Sequence, residues 1–288
     1  MCGIVGYIGS QPILPILMEG LKRLEYRGYD SAGVSLVANG TVYTQKTAGK
    51  ISNLEKLIAA NGQIDGGVGI GHTRWATHGA PTTSNAHPHR DAEGKISVVH
   101  NGIIENYRIL KRQLEEAGVV MTTDTDTEVL TQLIGHFYAG DLEDAVRLAL
   151  KRVEGTYGIA VVCSEEPDRI VVARNCSPLV LGVGDDQNFV ASDVAAILHH
   201  TRQVIYLDDH EMAVVERNRF RTTSLDNVHV RKDITEIDWE LSSIEKAGYP
   251  HFMLKEIYEQ PDTVCNAMRG RFDEGIASAH LGGIDMRD

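Results

Sequence analysis

An α+β fold with stacked sheets is what the order of elements in this chain predicts. Two observations carry that expectation. Strand-like runs gather before residue 100 and again after residue 156, with helical patterns between them, whereas a doubly wound parallel sheet needs strand and helix to alternate throughout. Within the first cluster, Asn39-Gly40 is a tight hairpin signal, so the strands on either side of it pair antiparallel.

Taken in order, Ile4, Val5, Tyr7 and Ile8 read as a short buried strand, and Gly3 and Gly6 are expected to leave room for something to approach its backbone. Pro12 opens a helix whose Leu14, Leu17, Met18, Leu21 and Leu24 recur at helical spacing. Strand 34–37 turns through Asn39-Gly40 into strand 41–44; a short helix covers 51–60 and a strand 68–73. Residues 74–95 are rich in Gly, His, Pro, Thr and Asn and too long for a casual connection, which marks a functional loop. A buried strand at 96–99 ends in His100-Asn101-Gly102, followed by helix over 107–117 and a short strand to 121. Thr125-Asp126-Thr127-Glu128 has capping-box spacing and starts a helix to about 138, and Asp141 starts another that stops before Gly155. Strands follow at 157–163, 169–173, 179–183, 189–191, 204–207, 211–216 and 220–223, with helix expected only at 194–199. From about residue 233 the chain turns polar and acidic, punctuated by Pro250 and Pro261, and 255–288 reads as the start of a further region.

Composition narrows the function classes. A chain of 288 residues with 42% apolar and 24% charged residues has the makeup of a globular protein with a good core. A net charge of −12 argues against nucleic acid as a partner, because phosphate contacts need clustered Lys and Arg. Cys2, Cys163, Cys176 and Cys265 lie far apart with no Cys-x-x-Cys pair, the usage of a reducing compartment. No run approaches a membrane helix and no signal-peptide pattern precedes Cys2, so no membrane is expected and a cytoplasmic location is.

Cys2 carries the chemistry. Removal of Met1 would leave one residue holding both a thiol and a free α-amine. Thiolate is the reactive form of cysteine, so the thiol needs a base within reach. An α-amine has a pKa of about 7.7–8.0 against about 8.5 for the thiol, so moving the proton costs roughly 1 kcal/mol. A lysine, near 10.4, would stay protonated. Nucleophile and base can therefore be one residue, although position alone favours the plainer reading, an ordinary second residue of a strand.

Three clusters after strands supply further parts: 72–79, His100-Asn101-Gly102 and Thr125-Asp126-Thr127. They offer a cation, a side-chain amide beside a glycine, and a carboxylate. A glutaminase needs this set: Arg for the substrate carboxylate, a carboxylate for its ammonium, and N–H donors for the oxyanion. Each part has a plainer reading. Asn101-Gly102 suits a turn, Asp126 suits the first turn of a helix, and Arg74 alone suits a surface charge. His72, His78, His87, His89 and His100 invite a metal reading, but no His-x-x-x-His spacing supports it, and no metal or other cofactor is expected. Gly67 to Gly71 lacks the Gly-Lys-Ser/Thr of a phosphate loop.

The motifs together resemble one family. Cys2-Gly3-Ile4-Val5-Gly6, Arg27-Gly28-Tyr29-Asp30-Ser31, His72-Thr73-Arg74-Trp75-Ala76-Thr77-His78-Gly79 and His100-Asn101-Gly102-Ile103-Ile104-Glu105-Asn106 are similar to the glutaminase domain of the glucosamine-6-phosphate synthases. These are the isomerising glutamine–fructose-6-phosphate aminotransferases, within the class-II glutamine amidotransferases. The resemblance covers roughly residues 2–240, and residues 251–261 are similar to the family's linker into a sugar-isomerase half, so domains 1–240 and 241–288 are expected. It implies a four-layer αββα N-terminal nucleophile hydrolase fold with two stacked, mainly antiparallel sheets. By motif, Cys2 would be the nucleophile and its amine the base, with Asn101 and the Gly102 N–H as oxyanion hole. Arg74, helped by Thr77, would hold the glutamine carboxylate and Asp126 its ammonium. Trp75 and His78 would line the site, and Arg27 would sit near the nucleophile's amine. The implied partners are L-glutamine and the isomerase half, in an enzyme that is a homodimer at full length. Glutaminase domains of amidophosphoribosyltransferase or asparagine synthetase type, a histidine-cluster metal hydrolase and a non-catalytic regulatory module are the competing readings.

Overall fold

The computed structural model describes residues 2–62, 64, 66–238, 248–268, 272–273 and 278–279. Two compact units divide the chain, Met1–Asp238 and Trp239–Asp288. In the first, chain order is β1 (Gly3–Gly9), α1 (Ile13–Arg23), β2 (Ser31–Ala38), β3 (Thr41–Ala48), α2 (Ile51–Asn61), β4 (Val68–Arg74), β5 (His89–Arg90) and β6 (Ile96–Ile104). Then come α3 (Tyr107–Glu116), α4 (Asp126–Phe137), α5 (Leu142–Leu150), β7 (Gly155–Cys163), β8 (Glu166–Asn175), β9 (Val180–Gly184) and β10 (Gln187–Ala191). Strands β11 (Gln203–Tyr206), β12 (Glu211–Glu216), β13 (Phe220–Ser224) and β14 (Thr235–Glu236) complete it.

These strands make an eight-stranded sheet, in the order β14-β11-β9-β10-β1-β4-β2-β3, and a six-stranded sheet, β13-β12-β8-β7-β6-β5. Their ladders are antiparallel. Helix α1 packs on β1 and β4 and α2 on β2 and β3, while α4 and α5 cover the other sheet and α3 lies against α4. Strands β1 and β4 face β6, β7 and β8, so the layers run helix, sheet, sheet, helix. This is the four-layer αββα arrangement.

The alternation of side chains shows how one strand serves two cores. In β7 and β8, Ala160, Val162, Ile170 and Val172 point between the sheets. Their neighbours Ile159, Val161, Cys163, Val171 and Ala173 point toward α3, α4 and α5. Both faces are therefore dry, and a strand covered on both faces reads as an unbroken apolar run although the ladder is antiparallel. The hairpin at Asn39 (φ 50°) and Gly40 (φ 71°) joins β2 to β3 as expected.

Several details depart from expectation. Gly3 and Gly6 make room for packing: a Cβ on Gly3 would stand 2.7 Å from Leu24 Cδ1, and one on Gly6 would stand 3.1 Å from Val190 Cβ. Residues 119–121 form no strand. The end of α3 explains why: Gly118 (φ 90°) reverses the chain, Gly118 N–H donates to Glu115 O at 3.0 Å and Val119 N–H to Leu114 O at 2.9 Å. That Schellman closure turns Val119 and Met121 onto the helical core, away from any ladder. The expected helix at 194–199 shrinks to a 3-10 turn, Val194–Ala196, capped by Asp193. In the second unit a helix α6 (Phe252–Met268) runs on through Pro261, which does not end it. Among the described residues no helix is long and apolar enough to cross a membrane.

Candidate active site

A small cavity collects Cys2 and residues from each of the three clusters that follow strands, 72–79, 100–102 and 125–127, but none from the Arg27–Ser31 motif. Cys2 enters ahead of β1; Arg74, Trp75 and Thr77 come from the end of β4; Gly102 and His100 from β6; Asp126 and Thr127 from the first turn of α4; and His87 from the intervening loop. Register brings the first two together, because Gly3 pairs with Thr73 across β1 and β4, which makes Cys2 and Arg74 neighbours. The free volume is about 10 Å³, room for one water molecule at most.

Burial pushes the Cys2 thiol above its ordinary pKa, against a smaller lowering by the Trp75 backbone hydrogen bond and by Arg74. Trp75 N–H donates to Cys2 Sγ at 3.2 Å, and the thiol faces Trp75 O at 3.5 Å. At neutral pH the sulfur is therefore a thiol, and attack requires a base to take its proton. Asp30 holds this strand exit: its N–H donates to Arg74 O at 2.7 Å and its carboxylate accepts Ala76 N–H at 2.5 Å. The Trp75 ring lies over Gly28 (φ 74°), where a Cβ would come within 2.8 Å of the ring.

The two charges sit on built supports. Arg74 is only 3% exposed, so it is no surface charge. Its guanidinium donates to the carbonyls of His78, Gly79 (3.5 Å) and Ala80 (3.3 Å), so the loop itself occupies the fork. Asp126, 4% exposed, follows the N-cap Thr125, whose hydroxyl accepts Glu128 N–H at 3.1 Å. One Asp126 oxygen accepts Ile104 N–H at 2.8 Å. The first-turn reading of Asp126 and the cavity-lining one are thus both met.

Asn101 does not line the cavity, and its Nδ2 donates to Cys2 O at 3.4 Å. Gly102 adopts φ 135°, where a Cβ would overlap the Thr156 carbonyl, so no other residue fits. Beneath lie four buried imidazoles. Burial lowers the pKa of each: His72 to about 3, His87 and His89 well down, and His100 in the same direction. His72 stacks on His87 at 4.2 Å and His87 meets His89 edge-on at 4.9 Å. His100 Nε2 donates to Thr156 O at 3.2 Å and its Nδ1 faces Thr127 Oγ1 at 2.9 Å. Among the described residues no group of three or more His, Cys, Asp or Glu is arranged to hold a metal ion.

A family model for the glutamine amidotransferase domain matches residues 59–246. The chain belongs to that family. The fructose-6-phosphate aminotransferase (isomerizing) of Chlorobaculum tepidum is 54% identical over 99% of this chain and 47% of its own length. The enzyme of that name from Symbiobacterium thermophilum is 50% identical over 99% and 47%. The chain thus spans about half the length of the curated relatives it matches. Among solved structures, the glutamine phosphoribosylpyrophosphate amidotransferase of B. subtilis superposes with a TM-score of 0.66 at 26% identity, over 78% of this chain and 49% of that one.

For a glutamine amidotransferase, the sequence-derived residues divide into two groups. Cys2, Arg74, Trp75, Thr77, Gly102 and Asp126 share the cavity. His78 is turned away, its ring edge-on to Tyr107 at 5.2 Å, and Arg27 reaches toward Asp193, with Nη1 3.9 Å from its carboxylate. Sequence reading missed His87, His100 and Thr127 as lining residues and Asp30 and Asn85 as supports. Asp30 lay inside a quoted motif. Asn85 is 1% exposed and joins Ala80 O (3.0 Å) to Asp124 Oδ2 (3.1 Å), which a polar loop residue does not advertise.

Proposed function

We propose that this chain hydrolyses L-glutamine to glutamate and ammonia through a γ-glutamyl thioester on Cys2. The observation that carries the reading is the convergence of a half-buried thiol with one buried Arg and one buried carboxylate in a single cavity. A free amino acid presents a carboxylate and an ammonium, and Arg74 and Asp126 complement them while the side-chain amide lies against sulfur. Met1 lies outside the described residues; with it removed, the Cys2 α-amine takes the thiol proton. Sulfur then bonds the amide carbon, and the oxyanion is met by the Asn101 amide and Gly102 N–H. Collapse breaks the C–N bond, the amine's proton leaves with the nitrogen as ammonia, and water cleaves the thioester to free glutamate.

At full length, the ammonia aminates fructose 6-phosphate on a sugar-isomerase half, to which residues 241–288 lead from a glutaminase domain over 1–240, in a homodimer. The greater identity to fructose-6-phosphate aminotransferases than to the phosphoribosylpyrophosphate enzyme supports that acceptor.

Intact-mass measurement after treatment with an electrophilic glutamine analogue tests the glutaminase step. The expected mass is that of the chain without Met1 plus one adduct on residue 2, absent in Cys2→Ala. Full-rate turnover by a chain that retains Met1, or an adduct on another cysteine, overturns it.

A further inference from the structure

The mechanism above uses Asn101 and leaves the buried imidazoles idle, yet one of them touches Asn101 directly. His72, wholly buried on β4, places Nε2 at 3.1 Å from His100 O and 3.0 Å from Asn101 Oδ1. Both oxygens can only accept, so Nε2 carries the hydrogen and shares it between them. Its other ring nitrogen, Nδ1, is buried with no hydrogen-bond partner, as expected of the unprotonated nitrogen of a neutral ring. The side-chain amide of Asn101 is thereby given a direction: Oδ1 toward His72 and Nδ2 toward Cys2.

The reversed amide is excluded by the same contacts. It would set an NH₂ against the His72 N–H and Oδ1 against the Cys2 carbonyl, two like-with-like encounters inside a dry site. Among the described residues no other hydrogen-bond partner of Asn101 distinguishes its two ends. The His87 ring stacked at 4.2 Å holds His72 in plane for this bond.

We propose that His72 is the positioning residue of the oxyanion hole, its neutral Nε2–H fixing the Asn101 amide so that the NH₂ end faces the reacting centre. This rests on Asn101 serving as the oxyanion donor. Loss of the His72 donor lets the amide flip or swing, and that weakens a contact made only once charge has developed on the substrate oxygen.

The test uses the full chain with Met1 removed. In His72→Phe, which keeps a ring against His87, kcat for glutamine is expected to fall about 100-fold with KM within about threefold, as for loss of one oxyanion donor. Site-resolved alkylation of Cys2 by iodoacetamide, which builds no oxyanion, is expected to proceed at the unsubstituted rate. His72→Gln, whose amide NH₂ reaches the former Nε2 position, is expected to recover kcat to within about tenfold, and the shorter His72→Asn is not. The double variant His72→Phe/Asn101→Ala should be no slower than Asn101→Ala alone. Unchanged kcat in His72→Phe, or equal losses in the Gln and Asn variants, overturns the proposal. Slowed alkylation in step with kcat means a disordered site and overturns it too. If His72→Phe does not fold, the Gln-against-Asn comparison decides. An Asn101→Ala variant with full kcat instead removes the underlying oxyanion reading, a result distinct from failure of His72.

Discussion

Buried neutral histidines make this protein sensitive to mild acid, by an amount that can be worked out. His72 titrates at about 3 in the folded chain, and His87 and His89 are held well below their ordinary value, all by burial. Unfolded, each returns to about 6.5. A base whose folded pKa is depressed takes up its proton in the unfolded state first, so stability is complete above pH 6.5 and declines as pH falls toward the folded value. Between pH 7.5 and 5.5 an unfolded histidine goes from roughly one-tenth to roughly nine-tenths protonated while the folded one stays neutral, which removes about 1.4 kcal/mol. His87, His89 and His100, shifted in the same direction by burial, add to it. Against a typical domain stability of about 5–15 kcal/mol that is a large share. Carboxylates contribute little in this window because their unfolded values lie near 4. Urea unfolding at pH 7.5, 6.5 and 5.5 should show the midpoint dropping with unchanged slope. A free energy of unfolding constant within about 1 kcal/mol over that range would refute the burial argument.

Two further outcomes follow from the site's supports. Asp126→Asn keeps an acceptor for Ile104 N–H but removes the charge, so KM for glutamine should rise at least about 30-fold, equivalent to about 2 kcal/mol, with kcat little changed; steady-state kinetics check it, and an unchanged KM puts the substrate ammonium elsewhere. Asn85→Ala strips the hydrogen bonds to Ala80 O and Asp124 and should cost about 2–3 kcal/mol. Hydrogen exchange should quicken over residues 79–85, and protection equal to that of the parent chain would show the loop to be held by other means.

The parts of this structure that could be read beforehand are those whose determinants lie close together in the chain. Thr125 and Glu128 are three residues apart, and the cap they form is present. Asn39-Gly40 needs only its own backbone preferences. The Schellman end of α3 is equally local, in Gly118, but the apolar Val119 and Met121 beyond it suit a strand as well as they suit the helical core they join. The direction of the Asn101 amide had no such local signal. It depends on His72, 29 residues away on a different sheet, and on which nitrogen of that ring holds the hydrogen.

The same distinction governs the state of the cavity. Motif position placed Arg74 at the substrate carboxylate, but only the fold reveals that the carbonyls of His78, Gly79 and Ala80 already fill its fork and that about 10 Å³ is left. A carboxylate bound to Arg is roughly twice as strong an acceptor as neutral carbonyls, so it can replace them at little cost to the guanidinium. The cost falls on the loop, whose carbonyls must find water. Loop 76–80 is the exposed side of the cavity, with Thr77, Gly79 and Ala80 open to solvent, so that replacement water is at hand. On the proposed role of Arg74, glutamine entry and outward movement of this segment would be one event. Asn85, which ties Ala80 to Asp124, sets how readily it happens.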